Sequence, residues 1–223
     1  MFLDRISAAV FDMDGTLIDS LIVWDVIWEE LGVKYLSKCG FRPSAEDDKA
    51  VRTMTLDRAM AFINGRYGLD PDDGAVLETV NGIIARFYSE EVEVKDGVIE
   101  FLDHLALRGV KMCVASATDK ALLMLAMEHC GLGKYFDTVL SCADIGKGKD
   151  RPDIYVAAME RLGGSLSDTC VFEDSLVAVR TAHELGLMTV GIYDKCNYGH
   201  EEMVGIVDRY IGDGESLMKL MLE

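Results

Sequence analysis

Hydrophobic and polar positions along this chain follow two rhythms. Residues 6–11, ISAAVF, are a short apolar run that predicts a buried strand, and it stops at Asp12 and Asp14. Over 18–90 no strand pattern occurs. Apolar residues instead recur at helical spacing over 18–31 (Leu21, Trp24, Ile27, Trp28, Leu31), with Gly32 as the expected stop and Asp19 as a candidate cap. The stretches 45–67 and 71–88 also predict helices, the second opening on Pro71 with Asp72 and Asp73 in its first turn. Trp24 and Trp28, one helical turn apart, are expected in the core of this helical block.

From Val94 the rhythm becomes strand-helix alternation. Lys95-Asp96-Gly97 makes a turn. Helices are predicted over 98–107, 119–130, 153–162, 177–185 and 215–222. Strands are predicted over 110–115, 138–141, 169–172, 188–192 and 207–211. Short apolar strands separated by helices imply a parallel sheet covered on both faces. The expected architecture is a doubly wound, Rossmann-like α/β core formed by 1–17 and 95–223. An all-helical cap, 18–94, is inserted after the first strand.

Such sheets place function at the carboxyl ends of their strands. Four strands are followed there by polar residues. Asp12-Met13-Asp14-Gly15-Thr16 follows the first, and Ser116-Ala117-Thr118-Asp119 the second. A loop with Lys147 and Lys149 follows the third, and Glu173-Asp174-Ser175 the fourth. Carboxylates gathered at one edge repel one another and call for a cation. Hard oxygen ligands suit Mg²⁺. His104, His129, His183 and His200 show no paired ligand spacing, which argues against zinc. A metal beside a lysine and a hydroxyl makes a phosphate cradle: the metal and Lys149 neutralise the phosphoryl oxygens, while Ser116 and backbone N–H groups donate to them. One carboxylate can then act as nucleophile and the other as general acid and base. Asp12 and Asp14, two residues apart on an extended chain, face the same way, and Gly15 permits the turn that follows.

The ordered set FDMDGTLIDS, the Ser of VASATD, the Lys of GKGKDRPDIY, and VFEDS resembles the four motifs of the haloacid dehalogenase superfamily. The helical block resembles the cap of its β-phosphoglucomutase and phosphoglycolate-phosphatase-like branch, so the resemblance covers essentially the whole chain. It implies that Asp12 is the nucleophile and Asp14 the general acid/base, with Asp14 also offering Mg²⁺ its backbone carbonyl. It implies that Thr16 shapes the loop, that Ser116 and Ala117 bind phosphate, and that Lys149 binds phosphate and shields charge. Asp12 and Asp174 would ligate Mg²⁺, supported by Glu173. Lys149 is preferred over Lys147 because the family places Pro-Asp three residues after the lysine, matching Pro152-Asp153. Dehalogenases of the family lack the second aspartate, so Asp14 points to phosphate-ester chemistry. The branch often carries Pro and Gly soon after the Asp of its fourth motif. Here Leu176 and Ala178 stand in that region, which bears on assignment to the mutase subgroup more than on catalysis.

Composition narrows the partners. Against 39 acidic side chains stand 22 basic ones, a net charge of −17 in 223 residues. Such a surface repels nucleic acid and anionic lipid, so an anionic substrate must be drawn in by a local positive site. Arg52, in a loop-like stretch of the cap, is a candidate for a second anionic group. The N-terminal stretch does not read as a signal peptide, no run is long and apolar enough to span a membrane, and the six cysteines form no CxxC pair. These features lead us to expect a cytoplasmic protein with reduced thiols, monomeric or weakly dimeric. The expected function is hydrolysis of a small phosphorylated metabolite, a sugar or polyol phosphate, behind a cap that opens and closes on hinges near 17–20 and 93–97. A phosphosugar mutase and a non-catalytic binding module are the alternatives.

Overall fold

A computed structural model describes residues 2–52 and 54–222. The chain forms two compact units, one of Met1–Ser20 with Val92–Glu223 and one of Leu21–Glu91.

The first unit is built on a six-stranded parallel sheet. Its strands are β1 (Ala8–Phe11), β2 (Lys111–Ser116), β3 (Thr138–Ser141), β4 (Thr169–Glu173), β5 (Met188–Ile192) and β6 (Arg209–Ile211). They lie in the order β3-β2-β1-β4-β5-β6, so β1 is central and the strand order reverses beside it. In register, Val10 stands between Cys113 and Val171, and Phe11 between Val114 and Phe172. Alternation then sends Val10 and Phe11 to opposite faces. One face packs Val10, Cys113, Ala115 and Val171 against Ile154, Tyr155 and Ala158 of helix α8 (Asp153–Leu162). On the other, Phe11 stacks on Phe172 at 4.4 Å between ring centres, and both meet Phe101 edge-on. Phe101 belongs to α5 (Val98–Leu107). Helices α6 (Lys120–His129), α7 (Cys142–Ile145), α9 (Leu176–Glu184) and α10 (His200–Val204) complete this unit. All six cysteines are free thiols. Where the chain leaves and re-enters the unit, its two passages pair: Ile18 bridges Val94, the Asp19 N–H donates to the Glu93 carbonyl, and the Lys95 N–H donates to that of Leu17.

The second unit contains α1 (Val23–Leu36), α2 (Ala45–Val51), α3 (Leu56–Tyr67) and α4 (Asp73–Glu90). Gly32 does not stop α1. It lies buried inside the helix, where a Cβ would run into the Phe41 Cβ and meet the Lys38 carbonyl at 2.6 Å. The helix ends instead at Ser37, in the left-handed conformation. Because α1 begins at Val23 with no side-chain cap, Asp19 does not cap it. The helix expected over 45–67 is two: α2 closes at Arg52 and α3 opens after Thr55 in extended backbone. Thr53, between them, lies outside the described residues. Trp28 is buried, lies tilted against Trp24 with ring centres 5.2 Å apart, and donates its indole N–H to Asp48 at 2.8 Å.

Two further expectations are corrected in the core. Strand β1 begins at Ala8, because Ile6 closes a 3₁₀ turn onto Leu3. The segment expected as a final helix is a 3₁₀ turn over Leu217–Met221.

Candidate active site

The strand register brings three acids together. Asp12 follows β1, and its N–H donates to the Phe172 carbonyl of β4 at 2.9 Å, carrying the ladder one step past the strand. Two residues on from Phe172 is Asp174. Carboxylate oxygens of Asp12, Glu173 and Asp174 all lie within 4.8 Å of one another, and all three residues are buried. Lys149 reaches into this cluster. Its Nζ donates to Asp12 Oδ1 at 2.5 Å and Glu173 Oε1 at 2.6 Å, with the side chain only 11% exposed. Lys147 instead pairs with Asp153 in a more exposed position, which separates the two lysines.

Three carboxylates face one ammonium, and the electrostatics register that excess. Burial, with the Glu173 charge second, pushes the Asp12 carboxyl up to about 8, against the pull of Lys149. Burial and the neighbouring Glu173, Asp12 and Asp194 charges raise Asp174 well above the carboxylate range. Burial works against the Lys149 charge, yet Asp12 and Glu173 outweigh it and hold that ammonium well above its ordinary value. Adding a divalent cation supplies the missing positive charge, and a donor set made only of carboxylate oxygens suits a hard ion. The residues present therefore fit a divalent metal.

Asp14 has a different neighbourhood, and its carboxylate is not part of this cluster. Ser20 Oγ donates to its Oδ1 at 2.7 Å, and Thr118 Oγ1 and Ser116 Oγ donate to its Oδ2 at 2.8 and 3.3 Å. Ser116 Oγ in turn accepts the Thr118 N–H at 3.1 Å. So Asp12 sits against an ammonium and two acids, while Asp14 sits against hydroxyls. Thr16 Oγ1 donates to Asp174 Oδ1 at 3.3 Å, tying the loop after β1 to the acid after β4. Ala117 is exposed at the end of β2. Arg52 belongs to the helical unit. It pairs with Asp48 through Nε (2.9 Å) and Nη2 (3.3 Å), and its buried Nη1 has no protein partner.

Several residues here escaped the sequence reading. Ser20 and Thr118 hold Asp14. Asn197 Nδ2 donates to Asp174 Oδ2 at 2.7 Å. Lys95 Nζ donates to the Gly15 carbonyl at 2.5 Å and to buried Asp194 at 2.8 Å. A signal for the last group was present: after MTVGI come Asp194 and Asn197, polar residues at the carboxyl end of a fifth strand.

Fold and site define an enzyme of the doubly wound α/β class with acidic chemistry at the carboxyl edge of its sheet. The haloacid dehalogenase-like hydrolase family model matches residues 6–186, and the chain belongs to that family. It is 27% identical over 203 residues to the Phosphorylated carbohydrates phosphatase of Thermotoga maritima, covering 86% of this chain and 88% of that protein. It is 24% identical over 200 residues to the Fructose-1-phosphate phosphatase YqaB of Escherichia coli, covering 85% and 97%. The crystal structure of CbbY from Rhodobacter sphaeroides in complex with phosphate superposes with a TM-score of 0.78 over 92% of this chain and 93% of that one, at 22% identity, which speaks to the fold. Among the described residues no helix is long and apolar enough to cross a membrane.

Proposed function

We propose that this hydrolase is a Mg²⁺-dependent phosphatase of a small phosphorylated metabolite, a sugar or polyol phosphate, acting through an aspartyl-phosphate on Asp12. The observation that carries this reading is the contrast between the two aspartates. Asp12 is held by Lys149 among acids that call for a cation, whereas Asp14 is held by hydroxyls within reach of proton chemistry. The family relatives named as phosphatases of phosphorylated carbohydrates support the substrate class.

When bound, the cation supplies charge neutralisation for the phosphoryl oxygens and the acid cluster. Asp12, Glu173 and Asp174 would hold it, with the Asp14 carbonyl. The Asp12 carboxylate attacks phosphorus, and the bond to the leaving oxygen breaks as Asp14 gives that oxygen a proton. Asp14 then takes a proton from water, which attacks the phosphorus and returns Asp12 as carboxylate and the phosphate as product. Lys149 and Ser116, with the Ala117 N–H, offset the charge that gathers on the phosphoryl oxygens. Thr16 holds the loop that presents Asp12 and Asp14. Arg52, with Nη1 unpartnered, is our candidate in the helical unit for an anionic group. The expected compartment is cytoplasmic, and the protein a monomer or weak homodimer.

The test is phosphate release from a panel of sugar and polyol phosphates, with Mg²⁺ and with EDTA. We expect release that requires the ion and is abolished by Asp12→Asn. Turnover undiminished in EDTA would overturn the metal dependence. Isomer formed without free phosphate would make the enzyme a mutase.

A further inference from the structure

We propose that Asn197 is a positioning residue that sets the Asp174 carboxylate for cation binding; this rests on the divalent-cation reading above. Its Nδ2 donates both to Asp174 Oδ2 (2.7 Å) and to the Asp174 carbonyl (3.1 Å), so one amide fixes main chain and side chain of the same residue. Thr16 Oγ1 donates to the other oxygen, Oδ1. Each oxygen of Asp174 thus has a neutral donor that orients it and leaves further lone pairs. A lysine in place of Asn197 would neutralise the acid and compete with an incoming ion. An amide orients it without doing so.

Asn197 is itself held. Its Oδ1 accepts the Tyr198 N–H at 3.3 Å, which sets which way the amide points, and its own N–H donates to the Asp194 carbonyl at 3.0 Å. Buried Asp194 accepts the Cys196 N–H on Oδ1 and the Lys95 ammonium on Oδ2, both at 2.8 Å. Lys95 also donates to the carbonyls of Tyr193 and Gly15, the latter beside Asp14. The turn 194–197 after β5 is therefore pinned at Asp194 and delivers Asn197 to Asp174. Donors behind a metal-binding carboxylate commonly govern affinity for the ion.

The experiment is direct ion binding: calorimetric titration with Mg²⁺ and loss of the free Mn²⁺ resonance signal, on wild type and Asn197→Ala. We expect Asn197→Ala to bind both ions about 10-fold or more weakly, while its melting temperature in EDTA stays within a few degrees of wild type. Unchanged ion affinity in the variant, with or without a lower melting temperature, would overturn the proposal and leave the metal reading intact. No ion uptake by wild type would overturn the metal reading and this proposal with it. If Asn197→Ala does not fold, Asn197→Gln, which displaces the same amide by one methylene, is judged by the same criteria.

Discussion

Replacing Asp12 by Asn should stabilise the metal-free protein while removing its activity. In the folded chain burial and Glu173 lift this carboxyl to about 8, from an ordinary value of 3.8. The folded state therefore holds that proton more tightly than the unfolded chain. A raised acid costs nothing below about pH 4, costs progressively more as pH rises, and costs its full amount above about pH 8. The gap of about 4 units, at 1.36 kcal/mol each, sets a ceiling of about 5 kcal/mol. Asparagine has the same shape and no charge, so it escapes that cost. It also leaves Lys149 with Glu173 as its one carboxylate partner, which returns part of the gain. A net of about 2–3 kcal/mol remains. In a chain of this size that raises the melting temperature by about 4–12 °C. Scanning calorimetry in EDTA at pH 8 and pH 4.5 measures it. The variant should melt higher at pH 8, with the difference closing at pH 4.5. A variant that melts below wild type at pH 8, or a difference that does not move with pH, would refute the reasoning.

Lys149→Met should lower kcat/KM by about 10²–10³-fold, the usual cost of losing a buried group that stabilises developing charge; steady-state kinetics within tenfold of wild type would remove Lys149 from the site. Asp14→Asn should cost about 10²–10⁴-fold in kcat/KM on a sugar phosphate, the span of general acid catalysis, but far less in kcat/KM on p-nitrophenyl phosphate, whose leaving group departs from the first step without a proton. Equal losses in kcat/KM on both substrates would deny Asp14 the general-acid role. Gly32→Ala should destabilise the helical unit by about 1–3 kcal/mol in urea unfolding, because the new methyl runs into Phe41 and the Lys38 carbonyl; a neutral substitution would contradict the close packing described for α1.

The elements most legible in the sequence were those with punctuation at both ends. Strands β3 and β5 and helices α5 and α8 fall on their expected limits. Gly97 and Gly109 bracket α5, and Pro152 and Gly163 bracket α8. Where punctuation misled, the reason is tertiary. Gly32 looked like a stop because a glycine after an apolar stripe commonly ends a helix, yet here it makes room for Phe41. The break between α2 and α3 carries neither Gly nor Pro; the loop-like stretch around Arg52 was its one signal, and it did not divide the helix expected over 45–67. The acids and lysine of the site could be read because each follows an apolar strand at the carboxyl edge. Ser20 and Thr118 could not, because their meaning lies in which oxygen they donate to; Asn197 stood at a strand end like the acids, yet its hold on Asp174 had to be seen in the fold. That depends on strand order, and the order β3-β2-β1-β4-β5-β6 is set only when distant segments pair.

The most direct test is to trap the covalent intermediate. Wild-type protein mixed with Mg²⁺ and a sugar phosphate that it turns over is quenched within one turnover, reduced with borohydride and analysed by peptide mass spectrometry. An acyl phosphate reduces to an alcohol, so homoserine is expected at position 12, dependent on substrate and absent in Asp12→Asn. Reduction at any other carboxylate, or turnover with no reduced carboxylate, would contradict an aspartyl-phosphate on Asp12.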